Sequence, residues 1–198
     1  MKRGGWIALG LVGVLILVAL LAFGSYISSK NQMVTLDEQV NQAYSQVNVV
    51  QQRRLDLIPN LVASVKGYVK EEETVLTNIA NARAGVLASA SDKPSTSNIQ
   101  ANERLSAAIV PLFRLQEAYP DLKGNQQFMR LEDELAGTEN RIAVERQRYN
   151  KTLQGYNTYV RQFPNSIWAG IAGFQPKGDQ YFKGNPQNGT APTVDFSK

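Results

Sequence analysis

From residue 36 to residue 90, apolar side chains recur every three or four positions: Leu36, Val40, Ala43, Val47, Val50, Leu57, Leu61, Val65, Tyr68, Val75, Ile79, Ala82 and Val86. That spacing keeps one face of an α-helix apolar. Two positions on the seam are charged, Arg54 and Glu72, and Pro59 lacks the backbone donor that a helix interior uses. Unbroken, the pattern makes one helix of about 55 residues, roughly 80 Å long. Pro59 and Gly67 are the expected break points, giving a kinked rod or two abutting helices.

Residues 89–97, rich in Ser with Asp, Lys and Pro, read as a loop. Ser97 is the expected cap of the next helix, with Gln100 at capping-box spacing. Leu105, Ile109, Leu112, Leu115 and Tyr119 mark its seam. Pro111 sits inside it, and Tyr119-Pro120 ends it, because a residue before proline is pushed out of helical dihedrals. After a joint at 121–125, the seam resumes through Phe128, Leu131, Leu135, Thr138, Ile142, Tyr149, Leu153, Tyr156, Val160 and Phe163, which predicts a third helix of about forty residues. Pro164 suits the first turn of a short apolar helix over 165–174. Beyond it the composition shifts to Gly, Pro, Asn, Gln and Lys, the mark of an extended or disordered tail at 175–198 whose Tyr181, Phe182 and Phe196 remain able to dock.

Residues 6–23 carry no charged or strongly polar side chain. At about 1.5 Å per residue they reach roughly 27 Å, close to the thickness of a bilayer core. The organisation expected is therefore an amino terminus at 1–5, a transmembrane helix at 6–24, a juxtamembrane joint at 25–35, a helical bundle at 36–174 and the tail. A signal peptide cleaved before Ser25 is the competing reading, although the apolar run exceeds an ordinary signal core. Lys2 and Arg3 precede the span, whereas Lys30 is soon followed by Asp37 and Glu38. This bias places the amino terminus in the cytoplasm and the bundle on the other side of the membrane.

Composition narrows the chemistry. With 198 residues, 43% hydrophobic and 19% charged, the chain suits one core-forming domain plus the span. Cys and His are both absent, which removes thiolate nucleophiles, the usual base near neutral pH and the commonest transition-metal ligands. Of the formal charge of +4, Lys2 and Arg3 account for two. The +2 left is too little to argue for nucleic acid.

Several segments together resemble the LemA family of bacterial membrane-anchored proteins over nearly the whole chain. They are Arg53-Arg54-Leu-Asp56-Leu-Ile-Pro59-Asn60-Leu-Val, Val65-Lys66-Gly67-Tyr68, Asn81-Ala82-Arg83-Ala84 and Ala118-Tyr119-Pro120-Asp121-Leu122. Thr138-Glu139-Asn140-Arg141-Ile142-Ala143, Arg148-Tyr149-Asn150, Tyr156-Asn157, Phe163-Pro164 and Gly173-Phe174 continue the series. The resemblance implies a transmembrane helix followed by an antiparallel bundle of about four helices. It carries no assigned reaction, and its association with cell-envelope physiology and, in one branch, with magnetosome membranes implies membrane organisation over catalysis. Many members have His then Glu after the Lys-Gly-Tyr segment. Here Glu71-Glu72 stands instead, so no role built on that His applies.

Candidate chemistry has four places to sit. Arg53, Arg54, Asp56 and Asn60 on the first helix, with Glu139, Asn140 and Arg141 on the third, are expected to form a structural polar network; the alternative is a ligand pocket. The acidic runs 71–73 and 132–134 read as solvated faces, since consecutive residues point to different sides of a helix and no Glu-x-x-His pair accompanies them. Ser and Thr are abundant but lack a nucleophile motif, and Asn188-Gly189-Thr190 matches a glycosylation acceptor only formally. Ile167, Trp168, Ile171 and Phe174 form an apolar surface that either closes an end of the bundle or contacts a membrane or partner.

The fold expected is thus all-α: a transmembrane helix, then an elongated antiparallel bundle. The function expected is a non-catalytic membrane-anchored scaffold or interaction module of the bacterial cell envelope, without cofactor or metal. Its partners would be the bilayer, envelope proteins and further copies of itself. The alternatives are a ligand-binding sensor with a polar inter-helix pocket, or a membrane-remodelling factor.

Overall fold

No Gly or Pro interrupts residues 25–58, and Tyr26, Ser29, Met33, Val40, Tyr44 and Val47 recur at three-to-seven-residue steps on one side. The computed structural model, which describes residues 3–67, 72–91 and 93–183, accordingly carries a single helix, α1, over Arg3–Lys66. Residues 25–35, expected as a joint, are helical: their polar side chains do not break a helix, and Ser29 and Met33 are buried. Pro59 does not break it either. The break falls at Gly67.

Five further α-helices lie among the described residues: α2 (Glu73–Ala88), α3 (Thr96–Ala118), α4 (Asp121–Gly124), α5 (Gln126–Arg161) and α6 (Asn165–Ala172), followed by a 3₁₀ turn at Gly178–Gln180. α3 begins two residues earlier than a Ser97 cap requires. Ser95 is the cap, extended at φ −136° and ψ 144°, and its Oγ accepts from the Asn98 backbone N–H at 3.2 Å. α5 starts on Asn125, whose Oδ1 accepts from the N–H groups of Gln127 and Phe128. α6 ends on Gly173, whose φ of 80° suits a residue without Cβ. Tyr68, Glu71, Phe196 and the Asn188-Gly189-Thr190 triplet lie outside the described residues.

The chain divides into two compact units, residues 1–42 with 151–178 and residues 43–150 with 179–198. In the second, Leu55, Ile58, Leu61 and Val65 of α1 meet Leu76, Ile79 and Val86 of α2, Leu105, Ile109, Leu112 and Leu115 of α3, Leu122 of α4 and Phe128 and Leu135 of α5 in one core. Contacts along the helices give their directions. Leu55 faces Arg83 and Asn48 faces Ser91, so α2 runs against α1. Tyr44 faces Asn98 and Arg54 faces Asn102 and Ser106, so α3 runs with α1. Arg54 faces Glu139 and Tyr44 faces Tyr149, so α5 runs against it. This unit is an antiparallel helical bundle.

In the first unit the apolar stretch of α1 is long enough to cross a membrane, and none of its apolar window is buried. Farther along, Met33 and Val40 are buried, as are Leu153, Tyr156 and Val160 of α5 and Ala169 of α6. Asn157 holds the segment after α6: its Oδ1 accepts from the Lys177 N–H at 2.7 Å and its Nδ2 donates to the Lys177 carbonyl at 3.4 Å. The Lys177 ammonium pairs with Asp37 and lies 5.3 Å from the Tyr156 ring centroid.

Candidate functional site

Arg54 is fully buried, among the largest such side chains of the described residues. An isolated guanidinium in that position would be prohibitive, so its hydrogen bonds must be found inside. Nη1 donates to Glu139 Oε1 at 2.8 Å and to Ser106 Oγ at 2.7 Å, and Nη2 donates to Asn102 Oδ1 at 2.8 Å. Three helices, α1, α3 and α5, thereby meet on one side chain.

The polar chain continues along α3. Asn102 Nδ2 donates to the Asn98 carbonyl and to Asn98 Oδ1, at 3.0 and 3.1 Å. Asn98 Oδ1 also accepts from the Tyr44 hydroxyl at 2.8 Å, while Asn98 Nδ2 donates to the Ser89 carbonyl at 3.3 Å. Burial pushes the Tyr44 phenol up to about 12, offset in part by the Asn48 amide. Tyr149 is pushed up as well, by burial first and then by Tyr44, Tyr181 and Asp179. Asn98, Asn102 and Ser106 were invisible as a set in the sequence; their shared spacing of four on α3 was the available signal.

The other residues of the expected network sit elsewhere. Arg53 points outward and pairs with Glu134, both side chains well exposed, so the pair adds little. Asp56 accepts from Gln52 Nε2 at 2.8 Å on the exposed face of α1. Asn60, Asn140 and Arg141 are exposed. The helical period explains the division: neighbours in sequence point about 100° apart, so Arg54 and Glu139 turn inward while Arg53, Asn140 and Arg141 turn outward.

Arg146 is another guanidinium of this unit that is half-buried. It lies 5.0 Å from the centroid of the Phe182 ring, and its pKa is lowered by burial first and then by Arg54, against the opposing pull of Glu139 and Glu103. Phe182 is buried, edge-on to Tyr149 at 5.3 Å. Its backbone is gripped by Asn150, whose Oδ1 accepts from the Phe182 N–H at 3.0 Å and whose Nδ2 donates to the Phe182 carbonyl at 2.8 Å.

The carboxylate of Glu139 is occupied by Arg54 and by Ser106, whose Oγ donates to Oε2 at 3.4 Å. The Glu139 carboxylate is thus occupied, although Arg54 Nε itself is buried without a partner. A groove of about 290 Å³ does open in this unit, between α1, α2 and the start of α3, lined by Asn48, Gln51, Gln52, Leu55, Val86 and Asn98 among others. Gln51 is buried there with Nε2 unpartnered. Among the described residues no group of three or more acidic side chains converges as a metal site would require.

In the first unit, Ser29 Oγ donates to Asn165 Oδ1 at 3.0 Å and Trp168 Nε1 donates to Ser25 Oγ at 3.3 Å. Tyr26 meets Trp168 edge-on at 5.7 Å. Phe174 and Trp168 are half-buried, whereas Ile167 and Ile171 are exposed together with Phe163, whose spacing predicts a helix seam but which lies beyond the end of α5.

Comparison with known proteins adds a family-level likeness. Residues 43–196 match the model of the LemA family. Magnetosome protein MamQ 2 of Paramagnetospirillum magneticum is 25% identical, over 95% of this chain and 76% of that one. MamQ of Magnetospirillum gryphiswaldense is 24% identical over 91% and 76%, and Protein LemA of Metamycoplasma hominis is 23% identical over 70% and 62%.

Proposed function

Because this chain belongs to the LemA family, and because its amino-terminal apolar helix anchors it in a membrane, we propose that it acts without catalysis, as a scaffold or interaction module of the bacterial cell envelope. The bundle would lie outside the cytoplasmic membrane, as Lys2 and Arg3 before the span argue. The mechanism is geometric. Confinement to a bilayer raises the effective concentration of the bundle for partners on the same surface, including further copies of itself, without any new contact.

The observation that carries this reading is the Arg54 cluster, in which carboxylate, amide and hydroxyl groups bond across three helices while Arg54 Nε stays unpartnered. Such a network specifies helix register. In-cell crosslinking with mass spectrometry tests the proposal. Capture of envelope proteins or of second copies supports it, and turnover of any substrate by the purified chain overturns it. Topology is read separately, since the chain has no Cys. Ser91→Cys, exposed in the second unit, is expected to react with a membrane-impermeant maleimide in intact spheroplasts.

A second reading, ligand sensing, is favoured by one feature, the unpartnered Nε2 of Gln51 in the groove. It places the ligand beside Gln51 rather than at Arg54. Gln51→Leu separates the two readings: a sensor loses its ligand response, whereas a scaffold keeps its crosslinks.

A further inference from the structure

Phe163, two residues ahead of α6, and Ile167 and Ile171, four residues apart on it, expose 82%, 52% and 65% of their surface. α6 itself carries no charged side chain. A patch of this kind is costly in water and marks a contact surface.

Its position says what covers it. α6 is tied to α1 through Asn165 with Ser29 and Trp168 with Ser25. Ser25 stands two residues beyond Phe23, where the uninterrupted apolar run ends, so the Trp168 contact lies within about 3 Å of that limit along the helix axis and the Asn165 contact about 9 Å from it. The Trp168 indole and the edge-packed Tyr26 ring therefore sit at the level where hydrocarbon gives way to headgroups, the depth that Trp and Tyr prefer. Exposed Lys30 and Arg161 flank this level in sequence, and cationic heads on long stems suit the phosphate layer.

A protein occupant fits less well. The three side chains expose on the order of 300–400 Å², whereas a stable protein interface uses roughly 800 Å² per partner. Lipid has no such threshold, because burial at the interface adds to an anchor already in place.

We propose that Phe163, Ile167 and Ile171 lie in the headgroup–acyl boundary of the bilayer, making α6 an interfacial foot beside the transmembrane helix. The foot rests on the membrane anchor and not on the scaffold reading. It sets the side towards which α1 tilts, since only one side of the span carries the helix that must reach the lipid surface.

The test uses the full chain with Trp6→Phe, which leaves Trp168 as its one tryptophan, reconstituted in phosphatidylcholine vesicles. Lipids brominated near the headgroup are expected to quench Trp168 at least twofold more than lipids brominated near the chain end. Phe163→Ser with Ile167→Ser and Ile171→Ser is expected to halve the shallow quenching and to raise acrylamide access, with helix content unchanged. Ile171→Ser alone gives a smaller shift in the same direction and serves if the triple variant misfolds. Trp168 quenched by acrylamide but by neither lipid overturns the foot while the chain still sediments with vesicles. Efficient disulfide capture of a second copy by Ile171→Cys at high dilution in lipid assigns the face to protein and also overturns it. A chain that leaves the vesicles altogether overturns the anchor, and the scaffold reading with it.

Discussion

The Arg83 guanidinium on α2 donates from Nε to the backbone carbonyl of Leu55 on α1, at 3.1 Å. Leu55 is four residues before Pro59, and its carbonyl is the one that Pro59, having no N–H, leaves without an intrahelical donor. A buried carbonyl without a partner is costly. The neighbouring helix supplies the missing donor, which is one reason α1 passes through a proline without ending.

Arg83→Met is expected to destabilise the bundle by about 1–3 kcal/mol, the cost of orphaning a buried acceptor. In a Pro59→Ala background the new N–H can reach Leu55, so the same substitution should cost clearly less. A double-mutant cycle by chemical denaturation of the full chain in detergent measures the difference. Additive effects would show that Arg83 and Pro59 are independent.

Removal of Arg54 leaves Glu139, Ser106 and Asn102 without their shared donor. Arg54→Met should therefore cost about 3–5 kcal/mol. Arg53→Ala, which breaks only the exposed pair with Glu134, should cost under about 1 kcal/mol. Thermal unfolding of the two variants side by side checks the contrast; equal melting shifts would refute it.

Alkaline pH provides a different test. Burial raises the phenols of Tyr44 and Tyr156 to about 12, with Asp37 adding to the effect at Tyr156. The unfolded chain ionises these groups near their ordinary value of about 10 and the folded chain does not. Their contribution is fully present below pH 10 and is lost as pH rises towards 12. Replacing either residue with Phe should flatten that decline in a pH series of denaturation midpoints.

The Asn150 side chain grips both backbone polar groups of Phe182. Asn150→Ala should release this segment and speed chymotryptic cleavage after Tyr181 or Phe182 several-fold. Unchanged cleavage rates would show that the ring contacts with Tyr149 and Arg146 hold the segment unaided.

Much of this architecture follows from local pattern. Three-four spacing is enough to mark the helices and their buried faces, because a helix hides one stripe whatever it packs against. The apolar run at 6–23 likewise declares a membrane span, since no tertiary partner is needed to make eighteen uncharged residues prefer lipid. Arg54 stood out for the same reason: a charge on an apolar seam demands an explanation.

Whether α1 crosses Pro59 was not decidable locally, because the donor that satisfies Leu55 lies 28 residues away on another helix. The cap of α3 was ambiguous because Ser95, Thr96 and Ser97 all have capping side chains, and the choice follows from Asn98, which the bundle interior holds through Tyr44 and Asn102. Arg54 lay on the seam and Arg53 off it, but Glu139, Asn140 and Arg141 were equally polar on paper, and packing selected Glu139 as the partner. The sequence by itself determined which stretches coil, which faces hide and which segment enters the membrane, since periodicity and length are properties of the chain alone. The tertiary structure decided which polar groups are paired, because a hydrogen bond between helices depends on rotations and distances that no single helix contains.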